Sequence, residues 1–285
     1  MIDPDRFIRS ADGGPIALFS SGEAAPGSVP LVLVHGTTAD HLTFRVVGPM
    51  LGRRRRLHAI DRRGRGASGD ATSYAIEREF EGVAAVAEAL AADTGGEVDV
   101  LGHSFGGRCA LGAALLTPAI RRVVCYEGAP APDTEPYQPA GLADRLQTHL
   151  DHGKLEAVLE TFMREVVGMG DDGMARFRAD PVWPLRVAAS PTILRELEAE
   201  RATAASLDAL GGVSVPVLQI LGTESMPAFH AATEALDARL RQGTVARIHG
   251  AAHAAHHTHP AAFVTAVEAF LDRDGDAGRG AELPR

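Results

Sequence analysis

The sequence predicts an α/β fold: a mostly parallel, eight-stranded, doubly wound sheet flanked by helices, with a helical segment inserted after the sixth strand. Three observations lead there. Short continuous apolar runs such as PLVLVHG, VDVLGHS and VPVLQILG read as strands buried on both faces. They alternate with segments of helical periodicity, which implies right-handed parallel crossovers. That alternation stops after Glu127 and resumes near residue 211.

In order, Phe7 to Ala11 and Pro15 to Ser20 form a hairpin across the turn signal Asp12-Gly13-Gly14. PLVLVHG is the third strand, Leu42 to Leu51 a helix, and RLHAIDRRG the fourth strand. From Tyr74 to Ala92, Ile76, Phe80, Val83, Val86 and Leu90 recur at three-to-four spacing, the mark of a long amphipathic helix. The strand VDVLGHS, the helix FGGRCALGAALLTP and the strand RRVVCYEG continue the rhythm. Pro130 to Leu210 carries helical patterns without a buried-strand run, which divides the chain into a core of residues 1–129 and 211–285 and an insertion of residues 130–210. VPVLQILG, the helix PAFHAATEALDARL, the strand TVARIHG and a helix over Pro260 to Leu271 close the sheet, and the tail DRDGDAGRGAELPR is expected to fray.

The 285 residues suffice for one large domain with an insertion, and 45% hydrophobic with 23% charged residues is ordinary for a soluble globular chain. A formal charge of −9 argues against a nucleic-acid partner, which needs a positive surface field. No apolar run approaches the ~20 residues of a membrane span, and MIDPDRFIRSADGG is no export signal, so a cytoplasmic location is expected. Cys109 and Cys125, the two cysteines, sit in apolar segments and are expected as buried thiols. Arg53 to Arg56 reads as a solvated turn.

Gly102-His103-Ser104-Phe105-Gly106 fits G-x-S-x-G between a buried strand and a helix, the context in which a sharp turn exposes a nucleophilic serine oxygen. The free amides and positive dipole end of the following helix then make the Phe105 N–H an oxyanion donor. His35-Gly36-Thr37, ending the third strand, places a second donor at the Thr37 amide, although Thr37 could also cap a helix. Of twelve histidines, His253 follows the last strand and precedes the final helix, where the order serine, acid, histidine requires the base. His249, His256, His257 and His259 lie nearby, but neither cysteine nor carboxylate is interleaved at zinc-ligand spacing, so no metal is assigned. No cofactor motif is present either.

VLVHGTTADHLTF, AIDRRGRGASGD, YAIEREFEGVAAV, LGHSFGG, VCYEG, ILGTES and HGAAHAAHHTHP fall in an order that resembles the α/β-hydrolase superfamily, in its bacterial esterase and cofactor-free haloperoxidase-like branch. The resemblance implies a cap made by residues 130–210 and a structural role for DRRGRGASG. It also implies Ser104 as nucleophile, His253 as base and the Thr37 and Phe105 amides as oxyanion donors. Members usually carry the acid after the seventh strand, where this chain has Ser225; some carry it after the sixth. Glu127 and Glu224 are the candidates, with Glu127 preferred because a carboxylate ending a buried strand needs a partner. The expected activity is cleavage of an ester, thioester or lactone-like bond of a small molecule through a Ser104 acyl-enzyme. A non-hydrolytic tailoring enzyme and a degenerate binding protein are the alternatives. Trp183, Phe162, Met163 and Met169 could line the pocket or form the core of the insertion.

Overall fold

The computed structural model describes residues 3–273 apart from Ala24, Pro26 and Thr72, so nearly all of the tail expected to fray lies outside the described residues. Its strands are β1 (Arg6–Arg9), β2 (Pro15–Ser21), β3 (Leu31–Val34), β4 (Leu57–Asp61), β5 (Val98–His103), β6 (Ile120–Tyr126), β7 (Val217–Gly222) and β8 (Gly243–Ile248). They form one eight-stranded sheet in the order β1-β2-β4-β3-β5-β6-β7-β8. β2 runs antiparallel to both neighbours and every later pairing is parallel.

Burial on both faces explains the unbroken apolar runs. Val32 and Val34 of β3 join Val98 and Val100 of β5 in one core cluster, while Leu31, Leu33 and Leu101 join another on the opposite face. The first cluster takes in Phe80, Val83, Val86 and Leu90 from α2 (Ile76–Thr94) and Cys109, Ala110 and Leu111 from α3 (Phe105–Ala114). The second packs beneath α1 (Gly48–Leu51) and the closing helix, through Leu51, Phe263, Val267 and Phe270. Each such side chain contributes roughly 1.5–3 kcal/mol on leaving water. Both cysteines are buried and free, as expected.

From β3 the chain steps outward to β4 and then crosses back to β5 on the other side. The loops leaving the carboxyl ends of β3 and β5 therefore diverge, and a crevice opens between them where doubly wound sheets hold their ligands.

Between β6 and β7 the described residues form helices only: α4 (Leu142–Asp151), α5 (Leu155–Glu165), α6 (Asp171–Ala179), α7 (Trp183–Ala189), α8 (Ile193–Ala199) and α9 (Leu207–Leu210), with short 3-10 turns. Leu142, Leu146, Leu159, Met163, Trp183 and Ile193 belong to a cluster of their own. After β7 come α10 (Pro227–Asp237), α11 (Ala255–Thr258) and α12 (Pro260–Leu271).

Two expectations change. The helix expected over Leu42–Leu51 is a 3-10 turn at His41–Phe44 followed by the separate α1. Pro49, in the first turn of α1, lacks the N–H that would continue a helix from the preceding turn. The arginine run is not wholly solvated: Arg55 is buried and pairs with Asp272 at 2.6 Å.

Candidate active site

The turn from β5 into α3 is built around glycines. A Cβ on Gly102 would lie 2.2 Å from the Gly106 carbonyl oxygen, and one on Gly106 would lie 2.3 Å from that of Val34. The turn can be this sharp only because both side chains are absent. Ser104 pays in backbone strain, with φ 55° and ψ −128°, a conformation that costs a non-glycine residue on the order of 1–3 kcal/mol. Its N–H is held by the Tyr126 carbonyl of β6 at 2.8 Å, and its own carbonyl accepts from the Gly107 N–H at 2.8 Å. Phe105 opens α3, so its amide is one of the unpaired donors at the positive end of that helix.

His253 lies in the loop between β8 and α11, pinned from three sides. Tyr126 donates to the Ala252 carbonyl and accepts the Ala255 N–H, both at 2.7 Å. His103 Nε2–H donates to the His253 carbonyl at 2.9 Å, and the Phe229 ring stacks on the imidazole with centroids 4.4 Å apart. Nδ1 is 2.6 Å from Glu127 Oε2. A carboxylate only accepts, so in the neutral ring Nδ1 carries the proton and the lone pair lies on Nε2.

Glu127 follows β6 with φ 45°, and its carboxylate is fully used. Oε1 accepts from the Gly222 N–H at 2.7 Å and from the Ser225 hydroxyl at 2.6 Å, while Oε2 takes the histidine. Glu224, the other candidate, is exposed, with Thr223 Oγ1 at 3.4 Å as its neighbour. Sequence reasoning misses Ser225. Along the chain it is only a residue unable to supply charge, yet its hydroxyl buttresses the carboxylate that holds the histidine.

The loop after β3 carries Thr37. The helix-capping role open to it is taken by Asp40, whose side chain accepts from the Leu42 N–H. The carbonyls of His35 and Gly36 accept from the buried Arg62 guanidinium at 2.8 and 3.2 Å. DRRGRGASG is thus structural, as expected, with Arg62, Arg63 and Arg65 all buried.

Thr37, Ser104, Phe105, Glu127 and His253 line one cavity of about 30 Å³. Its apolar wall comes from Phe162, Val166, Val167, Leu197 and Phe229. Of the four insertion residues left open between pocket and core, Phe162 does both, lining the cavity and belonging to the insertion's own cluster; Trp183 and Met163 sit in that cluster with Met169 packed against it. The cavity also contains a charge pair, Arg108 Nη1 to Glu200 Oε1 at 3.2 Å. Burial pushes the Glu200 carboxyl up despite the arginine beside it. Arg108, Tyr137 and Glu200 also wall a more open hollow of about 570 Å³.

In the histidine-rich segment, His256 is buried against His103 with ring centroids 4.4 Å apart. Among the described residues, no three His, Cys, Asp or Glu side chains are grouped to hold a metal ion. Nor is any helix among them long and apolar enough to cross a membrane.

A glycine-flanked strained serine at a strand-to-helix turn, sharing a cavity with a carboxylate-held histidine at the carboxyl ends of a doubly wound sheet, defines a class. Residues 31–266 match the alpha/beta hydrolase family, and the chain belongs to it, a protein of the hydrolase class. It is similar to an alpha/beta hydrolase from Sphaerobacter thermophilus at 29% identity, over 92% of this chain and 100% of that one, with a TM-score of 0.73. An esterase from Rhodococcus sp. shares the fold at 22% identity, over 94% and 98% of the two chains, with a TM-score of 0.73. An enol-lactonase from Burkholderia xenovorans does so at 22%, over 93% and 99%, with a TM-score of 0.68. No curated protein matches the chain.

Proposed function

We propose that this protein hydrolyses a carboxylic ester, or a related thioester or lactone, of a small molecule through a Ser104 acyl-enzyme. One observation carries the reading: a buried His253–Glu127 contact of 2.6 Å in the same cavity as a serine on a strained turn. His253 Nε2 takes the Ser104 proton as Oγ attacks the carbonyl carbon. The Thr37 and Phe105 amides stabilise the oxyanion, and the leaving alcohol receives the proton from His253. Water, activated by the same histidine, then releases the acid and restores Ser104. Glu127 fixes the tautomer and balances the charge of the imidazolium.

A 30 Å³ cavity with an aliphatic and aromatic wall favours a short acyl group, since that volume is about the size of one or two waters. Residues 130–210 serve as the cap, supplying Phe162, Val166, Val167 and Leu197 to that wall. The molecule acts in the cytoplasm.

The test combines a fluorophosphonate probe with a short-chain aryl ester. Wild type is expected to be labelled and to turn the ester over. Ser104→Ala is expected to escape labelling and to lose turnover on the ~10⁶ scale known for removal of such a nucleophile. A loss under tenfold would sink the assignment.

A further inference from the structure

Arg62 is among the largest fully buried side chains, and it faces both the loop after β3 and the helical insertion. Its main-chain N–H donates to His35 Nε2 at 2.9 Å, and His35 Nδ1 is 2.9 Å from the Gly36 carbonyl, which accepts its proton. Burial, then the arginine charge, pushes His35 well below the ordinary histidine value, so the ring stays neutral and keeps that tautomer. The guanidinium Nε–H and Nη2–H grip the His35 and Gly36 carbonyls.

The Gly36 carbonyl and the Thr37 N–H belong to one planar trans peptide and point in opposite directions. Whatever fixes that oxygen therefore aims the Thr37 N–H.

The charge on Arg62 is balanced from two sides. Glu79 of α2 accepts Nη1–H at 2.7 Å and is itself held by the Tyr74 hydroxyl at 2.7 Å. Glu196 of α8, in the insertion, accepts from Arg62 Nη2 at 2.8 Å and from Arg65 Nη2 at 2.6 Å. Burial alone would raise the Glu196 carboxyl, but Arg62 and Arg65 hold it below the usual range. The group is two buried cations and two buried carboxylates, neutral only when Glu196 is in place. Buried ion groups of this kind add little stability over apolar packing of the same shape. Stability therefore gives little reason for a carboxylate reaching from the insertion to the back of the Gly36–Thr37 peptide.

We propose that Glu196 is a positioning residue for the reaction: seated against Arg62 and Arg65, it holds the Gly36–Thr37 peptide in the orientation that offers the Thr37 amide to the oxyanion. Catalytic competence is thereby tied to the docking of α8. The inference rests on the acyl-enzyme mechanism proposed for Ser104.

Glu196→Gln keeps the shape and removes the charge. Its kcat on a short-chain aryl ester is expected to fall 10- to 100-fold, short of the ~10²–10³ that losing an oxyanion donor outright costs. KM should stay within threefold. The decisive readout is the ratio of rates on the ester and on its thionoester, because sulfur is larger and a weaker acceptor than the oxyanion those amides are spaced for. The ratio is expected to fall at least tenfold in the variant. A lower melting temperature with an unchanged ratio would mean a purely structural role and would overturn the inference.

Asp70→Asn is the control, since it removes the exposed Arg195–Asp70 pair made by the same helix at 2.8 Å without touching the loop. It is expected to leave kcat and the ratio unchanged; an equal fall there would assign the effect to helix docking in general and overturn the inference. Should Glu196→Gln not fold, Glu196→Asp retains the charge but is one methylene too short to reach both arginines. A folded Asp variant with an undiminished ratio overturns it as well. Wild-type labelling and turnover, measured alongside, separate the two failures: without them the acyl-enzyme mechanism fails and takes the inference with it. With them and an unchanged ratio, only the inference fails.

Discussion

Replacing Glu127 by glutamine removes one charge while keeping the side chain's size and shape, and the contacts around it dictate how the amide must sit. The position of Oε1 faces two donors, the Gly222 N–H and the Ser225 hydroxyl, so the amide must place its oxygen there. The reverse orientation would set an NH2 group against a backbone N–H. The amide nitrogen then lies 2.6 Å from His253 Nδ1 and donates to it, forcing the imidazole proton onto Nε2. A histidine protonated there cannot accept the Ser104 proton. The loss should match the ~10⁴-fold effect of the same change in serine proteases, about 5.5 kcal/mol of barrier. The assay is kcat for a short-chain aryl ester near pH 7.5 with a melting curve alongside, and the melting temperature should move little because the packing is preserved. Glu224→Gln, at an exposed position, should change kcat less than twofold. A loss under tenfold for Glu127→Gln, or a severe loss at Glu224, would refute the reasoning.

Acid should unfold the protein steeply below pH ~6.5. Burial pushes His35, His103 and His256 well below the ordinary histidine value. The unfolded chain therefore binds more protons than the folded one once the pH drops through the unfolded histidine value, and each group costs up to ~1.4 kcal/mol per pH unit from there down. Both ring nitrogens of His256 are buried without a partner, so His256→Leu should flatten the fall in melting temperature between pH 7 and 5; an identical slope would exclude its part in it. Phe162→Leu should shift the preferred acyl chain one or two carbons longer for about 1–2 kcal/mol of stability, and an unchanged chain-length profile would remove Phe162 from the acyl site.

Most of the sheet is legible in the sequence because strands buried on both faces leave an unbroken apolar signature; β8 does not, since only Ile248 of GTVARI is buried, and it is legible from its place in the strand–helix alternation. The serine is legible for a local reason: the glycines that allow its turn are two residues away. What cannot be read belongs to contacts between distant segments. Ser225 touches Glu127 across 98 positions, and Glu196 meets Arg62 across 134. A lone serine or an arginine-rich loop looks like solvated surface until its partner is known, and the buried Arg55 escapes notice for that reason. Glu127 is recoverable through its cost, a carboxylate at the end of a strand with nothing nearby to satisfy it, together with the family resemblance that allows an acid after the sixth strand.

The hydroxyl of Ser225 beside the Glu127 carboxylate has a bearing on how such sites can change over time. The ends of β6 and β7 thus bring positions 127 and 225 side by side at the carboxylate that holds the histidine. A descendant acquiring aspartate at 225 would bring two carboxyls within hydrogen-bonding reach, and they would share a proton rather than both ionise. That shared proton would spare the site the repulsion of two buried negative charges.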